Sequence, residues 1–345
     1  MKGLWKYISP FAPDQAGVSS VLYELGGIVV ICDAGGCAGN ICGFDEPRWF
    51  GRRSAVFSAG LRDMDAVLGR DDRLVDKLCE AAKTIDASFA AIIGTPVPAV
   101  IGTDYRALKR LAEKRLHLPV MAIDSSGMDF YDTGIEKAYA ELFRTFTVTD
   151  RPRRRRTVGV IGASPLDLLR ADDVTAITAA LKKAGWQDVL IYGRGSLDVI
   201  EEAATAEKNI VLSPAGLKSA AYLERYCNTP YEAAYPVLPH LDCAVKGRTI
   251  LVVHQQVAAN ALRQQLLDRG AAAVTVATWF TLAPQLAAAG DVALREEDEF
   301  IALADCDRFD VIVGDSFFKR GLKHFHGTFV DVPHVAVSGR TATDD

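Results

Sequence analysis

Short apolar runs alternate with amphipathic stretches along most of the chain. In its first part, continuous apolar runs predict buried strands at Gly27–Ile31, Ser88–Gly94 and Pro119–Ile123. Apolar side chains at helical spacings predict helices over residues 60–85, at Tyr105–Leu116 and at Thr133–Phe146, and residues 95–104 are predicted to form a loop. Strands that alternate with helices in this way are typical of βα units with a parallel sheet.

The alternation restarts twice. The basic run Arg151–Arg156, which contains a proline, predicts a solvated linker, and a further restart begins at Gly247. The second part has predicted strands at Thr157–Ile161, Asp188–Tyr192 and Asn209–Leu212, with helices at Asp173–Ala184, Ser196–Ala206 and Ala215–Tyr226. The third part has predicted strands at Arg248–His254, Ala273–Ala277 and Phe309–Val313, with a helix at Val257–Arg269. We therefore predict three Rossmann-like, doubly wound α/β domains in series, at residues 1–150, 151–246 and 247–345, the last with a C-terminal tail.

Composition narrows the class of protein. The chain has 345 residues, 49% hydrophobic content and a formal net charge of -5. It is too long for one compact core, and its acidity argues against nucleic acid as the main partner. No apolar run is long enough to span a bilayer, and the N-terminal segment lacks the apolar region of a secretory signal. Seven cysteines that are mostly scattered do not resemble a disulfide framework, so we expect a cytoplasmic protein without a membrane partner.

Three cysteines follow the first predicted strand at even spacing. Cys32, Cys37 and Cys42 lie in a loop of the first domain that also contains four glycines. Thiolates in such loops hold iron–sulfur clusters, and backbone N–H groups that glycines leave free tune the cluster potential. The spacing is not a standard ferredoxin spacing, and the alternative is that Cys32 is a buried strand residue while the others fill the loop. Because three cysteines fall within eleven residues, we favour metal or cluster binding.

The segment after this loop carries further candidates. Asp45, Glu46 and Arg48 directly follow Cys42. One interpretation is structural, with the segment anchored on the core and Arg48 paired with an acid. The other is functional, with the segment supplying a proton donor, a ligand or a wall of a substrate cavity.

Nucleotide-binding motifs are incomplete in this sequence. Gly159 and Gly162 stand near a predicted strand end but lack the full G-x-G-x-x-G spacing. No G-x-x-x-x-G-K-[ST] segment occurs, so the chain is not itself a P-loop ATPase.

The order of these segments resembles that of the nitrogenase component 1 type oxidoreductases. That family includes the molybdenum–iron protein subunits, the dark-operative protochlorophyllide reductase subunits and the nickel-sirohydrochlorin reductive cyclase. The resemblance rests on PDQAGVSSVLYELGG, CDAGGC, IIGTPVPAVIGTD and the two later α/β restarts, and it covers nearly the whole chain. It implies three α/β domains, an iron–sulfur cluster at a subunit interface, a substrate or metallocofactor between domains, and an ATP-hydrolysing iron–sulfur protein that delivers electrons.

The resemblance carries over only part of the family's cluster site. Cys37 matches the central cysteine of the interface cluster, whereas the upstream and downstream positions fall near Pro13 and Pro96 and carry no thiol. The family's large double cluster therefore cannot be assembled in the usual way. Cys32 and Cys42 are the local replacements, which implies a single [4Fe–4S] cluster with three thiolate ligands from this loop.

The resemblance also implies a shared site. The fourth position on the cluster would be filled by Asp33, Asp45, a water or a residue of a second subunit, so we expect a homodimer or a heterodimer with a second component 1 subunit. The nitrogenase cofactor cysteine falls near Leu212–Ser213 and is missing. The cofactor histidine corresponds to His334, for which an ordinary loop role is the alternative. These departures argue against nitrogen fixation.

The expected function is that of a nitrogenase-like reductase component. It would accept electrons from an ATP-dependent iron-protein partner and pass them to an unidentified substrate, with Asp45, Glu46, Arg48 and His334 as candidate catalytic residues. Two alternatives stay open: a scaffold for iron–sulfur or metallocofactor assembly, and a small-molecule binding protein without a cluster. Fold resemblance supports the class of reaction and cannot supply the reaction itself.

Overall fold

The computed structural model describes residues 5–52, 54–170 and 173–341. Over these residues, thirteen strands form three separate sheets, and the strands within each sheet pair in parallel. Each sheet and its flanking helices form one unit, called the first, second and third unit in chain order. The prediction of three parallel α/β sheets is thereby confirmed, while the exact domain boundaries at 150 and 246 stay a prediction.

The first unit has the strand order β2–β1–β3–β4. Its strands are β1 (Ile28–Ile31), β2 (Ala55–Ser58), β3 (Ala90–Ile93) and β4 (Val120–Ile123). Its helices are α1 (Asp14–Leu22), α2 (Gly36–Asn40), α3 (Asp63–Leu68), α4 (Asp71–Ala82), α5 (Pro96–Ile101), α6 (Tyr105–Leu116) and α7 (Tyr131–Phe146). The winding direction reverses between β1 and β3, so the carboxyl ends of these two strands form a topological switch point.

The second and third units repeat this design. The second has the order β6–β5–β7–β8, with β5 (Thr157–Ile161), β6 (Asp188–Ile191), β7 (Lys208–Val211), β8 (Tyr231–Ala233) and helices α8 (Asp173–Lys183), α9 (Asp198–Glu201) and α10 (Leu217–Cys227). The third has the order β11–β10–β9–β12–β13, with β9 (Thr249–Val253), β10 (Ala273–Thr278), β11 (Val292–Ala293), β12 (Val311–Gly314), β13 (Thr328–Asp331) and helices α11 (Gln256–Asp268), α12 (Glu297–Ala304) and α13 (Val335–Ser338). Their switch points lie between β5 and β7 and between β9 and β12.

Several elements differ from the sequence prediction. Residues 60–85 hold two helices, because Gly69 ends α3 with a φ of 61°, a conformation that glycine adopts at little cost. The predicted loop at 95–104 contains the short helix α5, which starts at Pro96. Helix α1 was not predicted, since all nine of its residues are buried and it has no polar face to give a helical period.

The basic run Arg151–Arg156 is exposed at residues 152–156, as a solvated linker would be, and two of its arginines are paired. Arg154 donates to Glu202 at 2.6 Å and to Thr205 at 3.0 Å, and Arg151 lies 3.6 Å from Glu201 and from Glu202. These contacts fasten the run onto the second unit.

Helices α1 and α7 cross at two glycines. A Cβ atom on Gly17 would overlap the carbonyl oxygen of Tyr131, and a Cβ on Gly134 would overlap that of Asp14. Only glycine permits this close approach of two backbones. The crossing fixes the N-terminus of α7, and hence Tyr131, at the junction of the three units.

The three switch points face one another at this junction. The hydroxyls of Ser20 and Ser164 lie 2.7 Å apart and join the first unit to the second. Gln255 of the third unit donates to the carbonyl oxygen of Leu212 of the second at 2.8 Å. The loops that follow the central strands of all three sheets therefore meet in one region.

Candidate functional site

The cysteine loop lies at the switch point of the first unit. Strand β1 ends at Ile31, Cys32 follows directly, helix α2 begins at Gly36, and a single turn of π-helix spans Ile41–Asp45. Such π-turns are rare and occur mostly at functional sites. Cys37 lies in α2 and Cys42 in the π-turn.

Cys32 belongs to the core of the first unit. Its residue is 4% exposed and it lies in an apolar cluster with Val30, Ala59, Leu74 and Leu78. Burial, with a smaller effect of nearby carboxylates, raises the pKa of its thiol to about 12. A thiol in such surroundings is a small apolar side chain with little tendency to ionise.

Cys37 and Cys42 are both partly exposed, and Cys37 packs on the other face of the sheet. It contacts the apolar cluster that contains Val29, Ile31 and Ile41, whereas Cys32 belongs to a different apolar cluster. Burial raises the pKa of both thiols, assisted by the Asp33 carboxylate at Cys37 and by Glu46 at Cys42. Within the described part of the chain, no three His, Cys, Asp or Glu side chains come together as a set that could hold a metal ion. The joint ligand role of Cys32, Cys37 and Cys42 stays a prediction.

Both carboxylate oxygens of Asp33 accept hydrogen bonds that hold the cysteine loop in place. Its Oδ2 accepts from the backbone N–H of Ala38 at 2.8 Å, and its Oδ1 accepts from the Ser58 hydroxyl at 2.6 Å. With 1% exposure and both oxygens in use, Asp33 shapes the start of α2.

Asp45 has a different environment from Asp33. Its Oδ2 is buried and has no hydrogen-bond partner among the described residues. Burial raises the pKa of this carboxyl to about 6, and the adjacent Glu46 charge adds to the effect. Of the two proposed carboxylate ligands, Asp45 is therefore the one with an oxygen to spare.

Glu46 and Arg48 form a buried ion pair that reaches the second unit. Glu46 accepts from Arg48 Nε at 2.7 Å and from Nη2 at 2.6 Å. Arg48 also donates to Glu24 at 3.2 Å, and Glu24 in turn accepts from Arg194 of the second unit at 3.1 Å. Burial alone would lower the pKa of Arg48, but Glu46 and Glu24 raise it above its usual value. The bidentate geometry is the strong form of such a pair and fixes the guanidinium.

Exposed apolar side chains flank the cysteine loop. Phe44 follows Cys42 by two residues and is 73% exposed, and Phe50 is 86% exposed. Helix α5 begins beside Thr95, whose hydroxyl donates to the carbonyl oxygen of Cys32 at 2.7 Å, and carries the exposed Val100 and Ile101. Because β1 and β3 are neighbours, the loop and α5 share one edge of the sheet.

His334 lies in the junction of the three units, where it joins a buried polar network. Its Nε2 is 3.0 Å from the Tyr131 hydroxyl, and that hydroxyl donates to Asp167 Oδ1 at 2.5 Å. The ring of His254 stacks on His334 with centroids 4.1 Å apart. All four residues are at most 2% exposed.

Burial dominates the protonation of this network. It raises the pKa of Asp167 to about 7, against hydrogen bonds from Tyr131 and Ser213 that lower it, while the Asp132 charge raises it further. Burial lowers the pKa of His254 to about 4 and that of His334 well below its usual value. Both imidazoles are therefore neutral at pH 7.

A cavity of about 240 Å³ opens beside this network, between loops of all three units. Among the described residues, the charged side chains on its wall are all arginines: Arg48, Arg170, Arg194 and Arg340. The apolar part of the wall includes Pro165, Leu168, Leu169, Pro333 and Val335, the neighbours of Asp167 and His334 in the chain.

Several of these residues were not singled out by the sequence. Tyr131, Asp167, Arg194 and His254 occur in no motif of known spacing. Asp167 and Arg194, however, follow predicted strands within six residues and His254 ends one, and side chains at the carboxyl ends of parallel strands meet at one edge. That signal could have selected these three, whereas Tyr131 lies eight residues after the nearest predicted strand.

Three doubly wound units arranged around a common junction define a Rossmann-like, multi-unit α/β protein. The family model described as nitrogenase component 1 type oxidoreductase matches residues 16–238, more than half of the chain. The chain belongs to this family, and the resemblance inferred from its residues is confirmed.

Solved structures with the same fold have little sequence in common with the chain. The structure "Nitrogenase Cp1 at pH 6.5" matches with a TM-score of 0.75 at 10% identity, covering 98% of this chain and 91% of that chain. "Nitrogenase Cp1 at pH 5" matches with a TM-score of 0.70 at 13% identity, covering 98% and 88%. At such identities the likeness shows the fold alone. No curated protein sequence matches the chain.

In the portions of the chain that the structure covers, none of the helices combines the length and the apolar character required to traverse a bilayer.

Proposed function

We propose that the chain is a nitrogenase-like reductase component, and that Cys37 and Cys42 of two copies together supply four thiolates to one [4Fe–4S] cluster. The observation that carries this proposal is the placement of the thiols: Cys37 and Cys42 are partly exposed at one edge of the first unit, whereas Cys32 packs in its core. A cubane cluster takes four thiolates, and two copies provide that number. Cys32 as a third ligand, expected from the sequence, is retained as an arm of the experiment.

The surface around the loop supports a shared site. Phe44, Phe50 and Val100 expose large apolar areas there, and such patches on soluble proteins commonly mark interaction surfaces. Covering them with a second copy would also exclude water from the thiols. In a heterodimer the second component 1 subunit would take the same place.

Asp45 is the carboxylate alternative to a thiol of the second copy. Its buried and unpartnered oxygen is available, whereas both oxygens of Asp33 are engaged inside the loop. Replacement of one thiolate by an oxygen ligand would alter the spectrum of the cluster and so can be detected.

Electrons would come from a separate ATP-dependent iron protein, since the sequence contains no P-loop of its own. When bound, the cluster would store and release one electron at a time. The chain's own residues would hold the cluster, exclude water from it and bind the substrate.

Anaerobic reconstitution followed by iron analysis and mass photometry tests the proposal. We expect a dimer with about two iron atoms per chain, because one [4Fe–4S] cluster is shared by two chains. Cys37→Ser and Cys42→Ser should each lose the iron and the EPR signal of the reduced state. Cys306→Ser serves as the matched control, because Cys306 is exposed and lies far along the chain in the third unit.

Three results discriminate between the ligand sets. The shared site would be overturned in favour of the three loop cysteines if the wild-type protein holds four irons per monomer and Cys32→Ser loses its iron. Loss of iron in Asp45→Asn would assign that carboxylate as a ligand. Unchanged iron in all three cysteine variants would end the cluster hypothesis.

The second candidate function is that of a small-molecule binding protein without a cluster. The arginine-lined cavity favours it, because this site is formed without any contribution from the cysteines. Turnover with an iron-protein partner and ATP separates a reductase from this candidate and from an assembly scaffold.

A further inference from the structure

A second cavity, which we call the side cavity, lies between the first and second units. Its volume is about 320 Å³, and none of its described lining residues lines the cavity at the junction. Strand β4 is an edge strand of the first sheet, so no further strand covers its outer side. The side cavity is the gap that remains where this edge, α7 and the start of α10 meet.

The acids on the described wall of the side cavity are paired with lysines. The three pairs are Glu136 with Lys218 at 2.6 Å, Glu141 with Lys109 at 2.8 Å and Asp124 with Lys137 at 3.6 Å. Two of these pairs join α7 to another helix, one to α10 and the other to α6. The acids are therefore balanced, and they leave no surplus negative charge to attract a cation.

Arg144 is a cation without such a partner. It lies in the last turn of α7 and lines the side cavity. Within the part of the chain that the structure describes, its guanidinium group donates to no other residue. Burial raises the pKa of the Tyr222 hydroxyl, and the positive charge of Arg144 opposes that rise, which places the guanidinium group near this hydroxyl. The side cavity therefore has one positive charge in excess, which favours an anion.

Ser219 offers a second polar contact from the other unit. It is the third residue of α10, it lies on the wall of the side cavity, and it is 1% exposed. Its buried hydroxyl has no hydrogen-bond partner among the described residues. A buried hydroxyl without a partner is costly, so most such groups are bonded to protein, water or a ligand.

The rest of the wall indicates an organic ligand. Ala122 and Ile123 of β4, Ala140 of α7 and the ring of Tyr222 present apolar surface. An inorganic ion would leave this surface uncovered, whereas a hydrocarbon body would fill it. The volume lies at the lower end of the usual range for ligand sites, so the ligand is small.

We propose that the side cavity binds a small organic monocarboxylate, whose carboxylate accepts hydrogen bonds from Arg144 of the first unit and from the Ser219 hydroxyl of the second. A guanidinium group can hold a carboxylate by two parallel hydrogen bonds, and a single carboxylate matches the single excess charge. This site goes beyond the function proposed above, since it uses neither the cysteine loop nor the junction.

A ligand-observed NMR titration of the purified full chain with 3-phenylpropionate tests the proposal. We expect saturable binding, which the uncharged 3-phenylpropionamide should not reproduce. Arg144→Gln should lower the affinity about tenfold, the usual effect of losing a hydrogen bond to a charged group. Arg106→Gln is the matched control and should bind like wild type, because Arg106 is an exposed arginine of the first unit outside the described wall.

Ser219→Ala separates a ligand contact from a structural role. Removal of a buried hydroxyl that has no partner should leave the urea unfolding midpoint of the ligand-free protein unchanged or raise it. The same variant should bind 3-phenylpropionate about threefold more weakly. A lowered midpoint with unchanged affinity would show that the hydroxyl serves the fold and would overturn its role as a ligand contact.

Stability gives an independent measurement of binding. Saturating 3-phenylpropionate should raise the unfolding midpoint of wild type by mass action, and it should raise that of Arg144→Gln less. Because Arg144 is exposed and donates to no described residue, its replacement should leave the fold intact.

Three outcomes would overturn the assignment. The first is the absence of saturable binding of both 3-phenylpropionate and the slimmer hexanoate. The second is an affinity of Arg144→Gln equal to that of wild type. The third is tighter binding of phenyl phosphate than of either carboxylate, which would mean a phosphate site.

Discussion

Tyr131 donates its hydroxyl hydrogen to Asp167 at 2.5 Å across the boundary between the first and second units. The same hydroxyl lies 3.0 Å from His334 of the third unit, so one side chain of the first unit contacts polar groups of both other units. Tyr131 is held in place by the crossing of α1 and α7, and it is completely buried. The junction is therefore held together by polar contacts as well as by apolar packing.

The buried Asp167 should make stability depend on pH. Its pKa is about 7 in the folded protein and about 4 in an unfolded chain, so the folded state keeps a proton that the unfolded state releases. Between about pH 4 and about pH 7, Asp167 should therefore lower the free energy of unfolding by about 1.4 kcal/mol for each unit by which the pH rises. Asp167→Asn should remove this loss while keeping an acceptor for Tyr131. Urea unfolding at a series of pH values between 4.5 and 7 measures it.

The difference between the two proteins isolates this effect. His254 and His334 have the opposite effect on stability. Their pKa values are lowered in the folded protein, so the protein loses stability as the pH falls. Both histidines are present in wild type and in Asp167→Asn, so their effect cancels in the difference between the two pH profiles. Asp150→Asn, at an exposed position, is the control. Parallel pH profiles for wild type and Asp167→Asn would refute the prediction.

The seven cysteines should differ in reactivity. Cys306 is exposed and should react first with iodoacetamide under anaerobic, iron-free conditions. Cys37 and Cys42 should follow, because burial raises the pKa of each. Cys32, with a pKa of about 12, should react only when the chain unfolds. Mass spectrometry of peptides over time gives the order, and rapid labelling of Cys32 in folded protein would contradict its core position.

Glu297 should anchor the N-terminal segment. It is 3% exposed and accepts from the backbone N–H groups of Lys6, Tyr7 and Ile8, each at 2.7 Å. Glu297→Gln replaces one acceptor oxygen by a donor and should destabilise the fold by about 2 kcal/mol. Thermal unfolding and limited proteolysis measure the effect. Asp298→Asn, which breaks only the exposed pair with Lys6, should change neither the thermal unfolding nor the rate of proteolysis. Equal behaviour of the two variants would refute the anchoring role of Glu297.

Gly134 should not tolerate a methyl group. A Cβ there would overlap the backbone of Asp14 in α1, which no rotamer change can relieve. We expect Gly134→Ala to destabilise the protein by about 3 kcal/mol. Gly43→Ala is the matched control, because a Cβ at Gly43 meets nothing within 4 Å. Chemical denaturation of both variants measures the difference in stability. Equal denaturation midpoints would show that α1 and α7 can move apart and would refute the prediction.

The sequence predicts this protein unevenly, for physical reasons. Strands such as β3 and β5, buried on both faces, form continuous apolar runs and were predicted correctly. Helix α1 is buried on every side, so it lacks the polar face on which helix prediction depends. The even spacing of Cys32, Cys37 and Cys42 says nothing of which face of the sheet each occupies. A strand residue and a helix residue five positions on can lie on opposite sides.

The cavity shows the same limit. Arg48, Arg194 and Arg340 are separated by more than a hundred residues at each step, and only the packing of three units brings them to one wall. Arg48 could be selected as a candidate from the sequence because it follows the cysteine loop. Nothing in local pattern distinguishes Arg194 or Arg340 from other arginines.

The meeting of three switch points at one junction has a consequence for how such a protein can change over generations. The described wall of the cavity comes from loops of all three units and from the start of α13, and none of its described residues lies in a strand. A substitution in one loop can alter one side while the two others, and all three sheets, stay as they are. New ligand preferences can therefore be acquired in separate small steps, each on a scaffold that still folds.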